Sequence, residues 1–289
     1  MFKFKANLSV FMFVIFYVSS IFSKQAEHSF DFDENLRYQF IAEQNLVHQL
    51  DKNSFALLPF QPLLQGMLEG IHPYQLLLSD EQSESPYFVI KSTASYVYIV
   101  GKPNQDQLDK IMNELSEFNG LVLICDESLH TYFVQHGFSL HPRIEFEYQF
   151  DHQVIQKEVP AGFTVKLLDL QLFKQSPWFS FVSSLHASSK RFLEVGLGYA
   201  LVDEQGISVA QAYGAMLGNG SCEIGIITHP DYRGKGYILH PVTALIQECL
   251  ARGLTPVWSC NSENVASLKT ALKLGFKIKR HYAFLKKFN

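Results

Sequence analysis

The sequence predicts an α/β fold built from two related units, because two stretches of the chain repeat one pattern. Each runs from a glycine through a short strand and a helix to a Gly-Phe pair, at Gly137-Phe138 and then at Gly275-Phe276. Glycine readily takes the left-handed conformation that ends a helix. After each pair, apolar and polar residues alternate as in a strand. The apolar positions are Ile144, Phe146, Tyr148 and Phe150 in the first stretch, and Ile278, Tyr282 and Phe284 in the second.

A polar stretch near Asp151–Pro160 lies between the two repeats and marks a domain boundary. We therefore expect one domain over residues 24–150 and a second over residues 151–289. The alternative is that any strand–helix–Gly-Phe unit looks alike by chance, because short matches carry little weight.

Residues 1–23 form a hydrophobic segment that resembles a secretory signal. Lys3 and Lys5 precede an apolar run from Leu8 to Phe22, and small residues lie at its end. The run is shorter than the roughly 20 residues that a spanning helix needs. We expect a cytoplasmic protein. An exported protein, membrane association through residues 8–22 and a start assigned too early stay open as alternatives.

Composition excludes several classes of protein. Hydrophobic residues make up 47% of the 289 residues, which is ample for packed cores and argues against disorder. The chain has a net charge of -4, whereas nucleic-acid-binding proteins usually carry a positive surface, so no nucleic-acid partner is expected. No Cys-x-x-Cys pair occurs, and we expect no metal site. Buried reduced thiols are favoured for the four cysteines: Cys125, Cys222, Cys249 and Cys260.

In the first unit, a strand at Tyr96–Val100 leads into a helix near Asn104–Phe118. The link is Gly101-Lys-Pro103, and its proline lacks a backbone donor, so the turn is a poor phosphate cradle. We interpret the first unit as structural or substrate-shaping.

In the second unit, strands and helices alternate up to a glycine-rich loop. An Asn-Gly pair at Asn219-Gly220 is typical of a hairpin. The predicted elements are strands at Phe163–Leu168, Tyr199–Asp203, Ile207–Met216 and Cys222–Thr228, and helices over Leu170–His186 and from about Tyr237 to Arg252.

The loop from Thr228 to Ile238 joins a strand to a helix N-terminus. Its glycines allow close approach of a ligand, and the helix start offers free N–H groups and a positive dipole end. Arg233 and Lys235 add positive charge. The loop therefore predicts a diphosphate site. It matches neither the Walker loop nor the dinucleotide fingerprint.

The stretch from Glu223 to Gly236 resembles the cofactor motif of GNAT N-acetyltransferases, in which Arg-x-x-Gly-x-Gly/Ala wraps the CoA pyrophosphate. Residues 253–258 and 272–276 look like the branch related to zwittermicin A resistance acetyltransferases, whose members carry a degenerate unit in front. The resemblance implies a GNAT fold, with a central mixed twisted sheet flanked by helices, preceded by a degenerate GNAT-like unit.

The resemblance also implies the roles of individual residues. Glu223 lies where some family members place a general base. The loop departs from the motif at Ile238, and the position of a tyrosine acid in many members holds Ala271. Tyr282 is the candidate acid instead, or else a strand aromatic. The implied acetyl-CoA contacts are Ile226, Ile227, Thr228, Arg233, Gly234, Lys235, Gly236, Tyr237, Ile238, Asn261 and Asn264.

The expected activity is acetyl transfer from acetyl-CoA to an amine of a small molecule or other acceptor by direct attack. A catalytically inactive CoA-binding sensor and a membrane-tethered interaction protein are the alternatives.

Strand alternation places Cys222 on the face opposite Glu223, as a core thiol. We expect surface or loop roles for three histidines and core or pocket-wall roles for both tryptophans. These residues are His186, His229, His240, Trp178 and Trp258.

Overall fold

The computed structural model describes residues 58–80, 82–151 and 158–287. Within these ranges the strands form one eleven-stranded mixed sheet, in the order β1-β2-β3-β4-β11-β5-β10-β9-β8-β7-β6. The strands are β1 (Tyr74–Asp80), β2 (Tyr87–Ser92), β3 (Tyr96–Gly101), β4 (Val122–Ile124), β5 (Ser139–Tyr148), β6 (Phe163–Leu167), β7 (Leu197–Asp203), β8 (Ser208–Gly218), β9 (Ser221–Thr228), β10 (Thr255–Asn261) and β11 (Phe276–Lys286).

Helices flank the sheet. In chain order they are α1 (Gln61–Leu68), α2 (Gln105–Ser116), α3 (His130–Gln135), α4 (Leu170–Lys174), α5 (Phe179–Leu185), α6 (Ser189–Val195), α7 (Leu239–Ala251) and α8 (Val265–Lys273). Two further helical turns, at Glu127–Leu129 and Pro230–Tyr232, are 3-10 helices.

The two halves of the chain exchange their last strands. β5 comes from the first half, yet it pairs antiparallel with β10, from Val257↔Glu147 to Asn261↔Arg143. β11 comes from the second half and lies between β5 and β4. Two strand pairs, β3–β4 and β9–β10, are parallel. The sheet is therefore continuous from one half into the other.

Alternating side chains of the strands build separate cores on the two faces of the sheet. One core takes Met67 of α1, Phe173 of α4 and Tyr213 of β8. The other takes Cys222 of β9 and Leu245 of α7. Cys222 thus lies with the apolar residues around α7, as alternation predicts.

The sequence correctly predicts most elements of the fold, and their ends differ by about two residues. The α2 helix begins at a capping box in which Asn104 Oδ1 accepts from the Gln107 N–H at 3.0 Å. Gly137 and Gly275 have φ of 88° and 87°, as helix ends require. All four cysteines are buried and free.

The prediction of one helix over Leu170–His186 is wrong. The helix is broken into α4 and α5 around Pro177, because proline has no N–H to continue the hydrogen-bond ladder. The Ser176 hydroxyl accepts from the Trp178 N–H at 3.0 Å and supports the break. A third helix, α6, follows Ser188, whose side chain caps it.

The expected surface role of His186 is also wrong, because the side chain is only 1% exposed. Its Nε2 lies 2.8 Å from the Ala215 carbonyl, and its ring centroid lies 4.6 Å from that of His72. His72 Nε2 accepts from the Leu217 N–H, and Nδ1 faces the Leu185 carbonyl at 3.0 Å. Burial lowers the pKa of His72 to about 4 and that of His186 to about 3. Both rings are neutral near pH 7.

The hydrophobic run Leu8–Phe22 and residues 152–157 of the boundary stretch lie outside the described residues. Among the described residues, no helix is both long enough and apolar enough to cross a bilayer.

Candidate active site

A gap between β9 and β10 is the main feature of the second half. The two parallel strands pair over three positions, and their pairing ends at Val257↔Glu223. β9 continues to Thr228 and β10 continues to Asn261. Beyond Glu223 the strands diverge, so a ligand can reach the main chain of β9 from this side.

The antiparallel ladder with β8 decides which β9 residues face the gap. The His229 N–H donates to the Val209 carbonyl at 2.9 Å, which makes these two residues a hydrogen-bonded pair. Because such pairs alternate, Ile227 also directs its main chain to β8. The main-chain groups of Ile226 and Thr228 then point into the gap. Ile226 and Thr228 are suited to the backbone role that the sequence suggests, whereas the Ile227 main chain belongs to the ladder.

The glycine-rich loop lies where β9 meets α7. Gly234 and Gly236 have φ of 76° and 77°, which other residues rarely adopt. Arg233 Nε donates to the Thr228 carbonyl at 3.2 Å and ties the loop to the strand. Lys235 Nζ lies 5.2 Å from the ring centroid of Tyr232. Both cations are exposed, and the loop therefore presents positive charge at the mouth of the gap.

The start of α7 differs in detail from the sequence prediction. The helix begins at Leu239, and the N–H groups of Leu239 and His240 donate to the carbonyls of Gly236 and Tyr237 at 3.1 and 3.2 Å. The N–H groups of the loop are therefore the nearest donors for an anion. Ile238 packs its side chain against the buried cluster around Val209. The larger side chain that replaces the Gly or Ala of the motif is therefore directed into the core.

Glu223 lies at the point where the gap opens, and it is only 7% exposed. The Ser259 hydroxyl donates to Glu223 Oε1 at 2.8 Å. Burial raises the pKa of the Glu223 carboxyl to about 7, although the Ser259 hydrogen bond and the Arg143 charge act in the opposite direction. A carboxyl with this pKa exchanges protons readily near neutral pH.

Arg143 and Tyr282 extend this hydrogen-bonded chain away from Glu223. Arg143 Nη2 donates to Ser259 Oγ at 2.8 Å, and Arg143 Nε donates to the Tyr282 hydroxyl at 3.0 Å. Burial raises the pKa of Tyr282 to about 12, so the phenol is protonated at neutral pH. The structure therefore brings the two proposed catalytic residues, Glu223 and Tyr282, into one network.

Sequence reasoning missed the roles of Arg143 and Ser259. Arg143 directly precedes the buried residues 144–146, and Ser259 lies between the buried residues Trp258 and Cys260. A charged or polar side chain in such a setting needs a partner. That signal was present, but the partners are far apart in sequence.

The remaining predicted residues lie around the ends of β10 and α8. Asn261 Oδ1 accepts from the Glu263 N–H at 2.8 Å, and Asn264 Oδ1 caps α8 by accepting from the Ser267 N–H at 3.1 Å. Both side-chain oxygens shape the turn after β10. Ala271 is fully buried on α8.

An aromatic wall borders the gap on the Glu223 face of the sheet. A Cβ placed on Gly225 would lie 3.1 Å from Trp178, so the missing side chain lets this ring approach β9. Trp178 and Phe181 of α5 are both partly exposed, and Phe181 lies against Tyr96. Trp178 is therefore partly exposed next to β9, and a pocket-wall role for it stays a prediction, whereas Trp258 is buried in the core.

The fold and this site together define a class: an α/β protein in which two parallel strands separate next to a buried carboxyl, and in which one of them leads into a glycine-rich loop with two exposed cations. The profile of the GNAT acetyltransferase family matches residues 38–285. The chain therefore belongs to the GNAT acetyltransferase family, which places it among the acyltransferases. Within the described ranges, no group of three or more His, Cys, Asp or Glu is arranged to hold a metal ion.

Individual relatives support the same class. The chain is 28% identical over 142 residues to the uncharacterized N-acetyltransferase YdfB of Bacillus subtilis (strain 168), which covers 48% of this chain and 54% of that protein. The chain thus spans about half the length of this curated relative.

Solved structures are similar over more of the chain. A GCN5-related N-acetyltransferase-like protein from Streptococcus suis 89/1591 has a TM-score of 0.66 at 24% identity, covering 85% of this chain and 98% of that one. A tandem GNAT protein from the clavulanic acid biosynthesis pathway has a TM-score of 0.54 at 11% identity, covering 79% and 87%. At these identities the likeness concerns the fold alone.

Proposed function

We propose that the protein is an acetyl-CoA-dependent N-acetyltransferase that transfers an acetyl group to an amine of a small molecule or other acceptor by direct attack. The observation that carries this proposal is Glu223. Its carboxyl is buried, has a pKa of about 7, and lies where β9 and β10 separate, on the strand that leads into the glycine-rich loop.

The residues around the gap fit acetyl-CoA. The positive φ of Gly234 and Gly236 turns the loop backbone beside Arg233 and Lys235, a setting suited to a diphosphate. When bound, acetyl-CoA supplies the acetyl group as an activated thioester. The cradle would consist of Arg233, Gly234, Lys235, Gly236, Tyr237 and Ile238, with Ile226 and Thr228 along the arm and Asn261 and Asn264 near it.

Glu223 would accept the proton of the attacking amine, directly or through one water molecule. Its pKa near 7 matches a base that works at neutral pH. The main-chain N–H of Ile226 or Thr228, directed into the gap, would stabilise negative charge that develops on oxygen. Holding the amine beside Glu223 would supply much of the remaining rate.

Tyr282 is the proposed proton donor to the leaving group. Its hydroxyl accepts from Arg143 Nε and keeps its own proton for donation. The arginine charge would stabilise the phenolate until it is reprotonated.

The first half of the chain would hold no second cofactor site. Its parallel pair places Tyr98 opposite Ile124, and the Tyr98 hydroxyl donates to the Phe60 carbonyl at 2.9 Å in a fully buried position. Pro103 follows β3 where the second half has its phosphate loop. We propose that residues 24–150 form a degenerate GNAT-like unit and residues 151–289 the acetyltransferase unit.

Membership of the branch related to zwittermicin A resistance acetyltransferases and a cytoplasmic location also stay predictions. The location follows from the need for free acetyl-CoA, which is not expected outside the cytoplasm.

A CoA-binding sensor without catalytic activity is the second candidate. Ala271 favours it, because alanine has no hydroxyl and occupies the position at which many family members carry the tyrosine acid. This residue is also fully buried. Acetyl-CoA binding without turnover on a broad amine panel would support the sensor.

Calorimetric titration of acetyl-CoA into the full-length protein tests the cofactor site. We expect micromolar binding that is lost in Arg233→Glu and in Gly236→Val. Lys110→Glu is a matched charge reversal on the exposed face of α2. Gly206→Val is a matched change at a φ of 83° in the β7–β8 turn. Both controls should bind normally. Absence of binding to the wild-type protein would contradict the proposed function.

A further inference from the structure

We propose that Arg143 is a positioning residue for Glu223, and that β5 thereby makes the first half of the chain a part of the active site. This inference rests on the proposed function, in which Glu223 is the general base. It assigns a role to Arg143 that follows from the exchange of strands between the halves.

The hydrogen bonds fix the direction of the Ser259 proton. An arginine side chain only donates, so Ser259 Oγ must accept from Arg143 Nη2 at 2.8 Å. The single hydroxyl proton of Ser259 is then available for Glu223 Oε1, also at 2.8 Å. Arg143 therefore orients Ser259, and Ser259 holds one oxygen of the carboxyl. The Ser259 main chain also hydrogen-bonds to the Glu223 carboxylate.

Arg143 itself is held from both neighbouring strands. Its backbone pairs with Asn261 of β10 on one side and with Tyr282 of β11 on the other. The guanidinium bonds to the Tyr282 hydroxyl, and its Cζ lies 4.5 Å from the ring centroid of Phe284. A planar fork fixed in this way is pre-organised, and lysine cannot reproduce its geometry.

Arg143 is the cation that lowers the pKa of the Glu223 carboxyl. Titratable or charged groups interact electrostatically with Glu223 from five strands: Tyr96 and Tyr98 on β3, Arg143 and Glu145 on β5, Cys222 on β9, Cys260 on β10, and Tyr282 on β11. Glu145 is paired with Lys279 and Arg280 at 2.8 and 2.6 Å. Removal of Arg143 would therefore leave the Glu223 carboxylate without its nearby cation.

The test measures the Glu223 pKa directly and needs no acceptor. Full-length protein with carboxyl-13C glutamate is titrated by NMR, and the Glu223 signal is assigned by its loss in Glu223→Gln. We expect Arg143→Gln to raise the Glu223 pKa by about one unit, because an opposite charge is removed. Ser259→Ala should raise it less. Lys277→Gln removes one positive charge that is paired with Glu147, and this control should not move it.

Kinetics on an acceptor from the amine panel give a second measurement. A rise of about one unit from a pKa near 7 would lower kcat at pH 7 by about fivefold through the loss of ionised base. The KM for acetyl-CoA should stay unchanged in Arg143→Gln. Arg143→Lys should keep the acidic limb of the pH profile close to that of the wild type and still lower kcat.

An unchanged Glu223 pKa in Arg143→Gln, with normal acetyl-CoA binding, would overturn the inference. If that variant fails to fold, Ser259→Ala breaks the same link with a smaller change, and an unchanged pKa there is equally decisive. Failure of the proposed function can be distinguished from failure of this inference. It would appear as absent acetyl-CoA binding or as full activity of Glu223→Gln, while the NMR titration would still show whether Arg143 changes the Glu223 pKa.

Discussion

The backbone of Gly66 in α1 lies directly against that of Gly218 in β8. A Cβ on Gly218 would lie 2.2 Å from the Gly66 nitrogen, and a Cβ on Gly66 would lie 1.9 Å from the Leu217 carbonyl oxygen. Each glycine therefore permits a contact that no other residue could make. Through this contact the first half of the chain packs onto a strand of the second half.

Gly218→Ala should destabilise the protein by about 2 kcal/mol, because the added methyl group meets backbone atoms that cannot move independently. Urea denaturation would measure the change. Gly225→Ala is the graded control, since its nearest neighbour is the Trp178 ring at 3.1 Å. A Gly218→Ala loss no larger than that of Gly225→Ala would contradict the close backbone packing.

Acid should destabilise the protein through His72. Its folded pKa of about 4 lies below the ordinary value of 6.5, so the unfolded state binds more protons between these two values. Stability from this group is complete above pH 6.5 and is lost as the pH falls towards 4. The difference between the unfolded and folded pKa values of His72 corresponds to about 3 kcal/mol of stability.

The matching experiment compares the free energy of unfolding at pH 7 and pH 5 in the wild type and in His72→Phe. The variant should be less stable at pH 7, because the Leu217 N–H and the Leu185 carbonyl lose their partner. Its pH dependence should be weaker than that of the wild type. His281→Gln, an exposed control, should behave like the wild type. Equal pH dependence in the wild type and His72→Phe would refute the role of His72.

Glu223→Gln should lower kcat by about 10²–10⁴ while acetyl-CoA binding stays unchanged, because the variant loses only the base. Wild-type kcat should rise as the pH passes through about 7, where the carboxyl loses its proton. A pH–rate profile with an accepted amine provides the measurement. Glu147→Gln changes an exposed carboxyl paired with Lys277 and should leave kcat intact.

Asn104→Ala should destabilise the protein by about 1 kcal/mol through loss of the α2 capping box. Thermal unfolding would detect the change. Gln105→Ala alters the next, exposed residue and should cost clearly less. Similar unfolding temperatures for the two variants would show that the cap contributes little.

Local chemistry explains what the sequence predicts well. The strand and helix boundaries, the Asn219-Gly220 hairpin and the glycine-rich loop after Thr228 each depend on residues within a few positions of one another. Glu223 is a candidate base from the sequence for the same reason, because it lies only a few residues before that loop in the motif. The apolar spacing over Leu170–His186 predicts one helix, whereas Pro177, which is also a local signal, breaks it.

The sequence by itself determined most of the elements, the glycine-rich loop between β9 and α7, and the family. Only the tertiary structure decided that β5 and β11 exchange places, that His186 is buried against His72, and that Arg143 reaches Ser259. Arg143 and Ser259 are 116 positions apart. Strand pairing at such a separation depends on how whole faces of the chain pack, and residue spacing alone does not encode it.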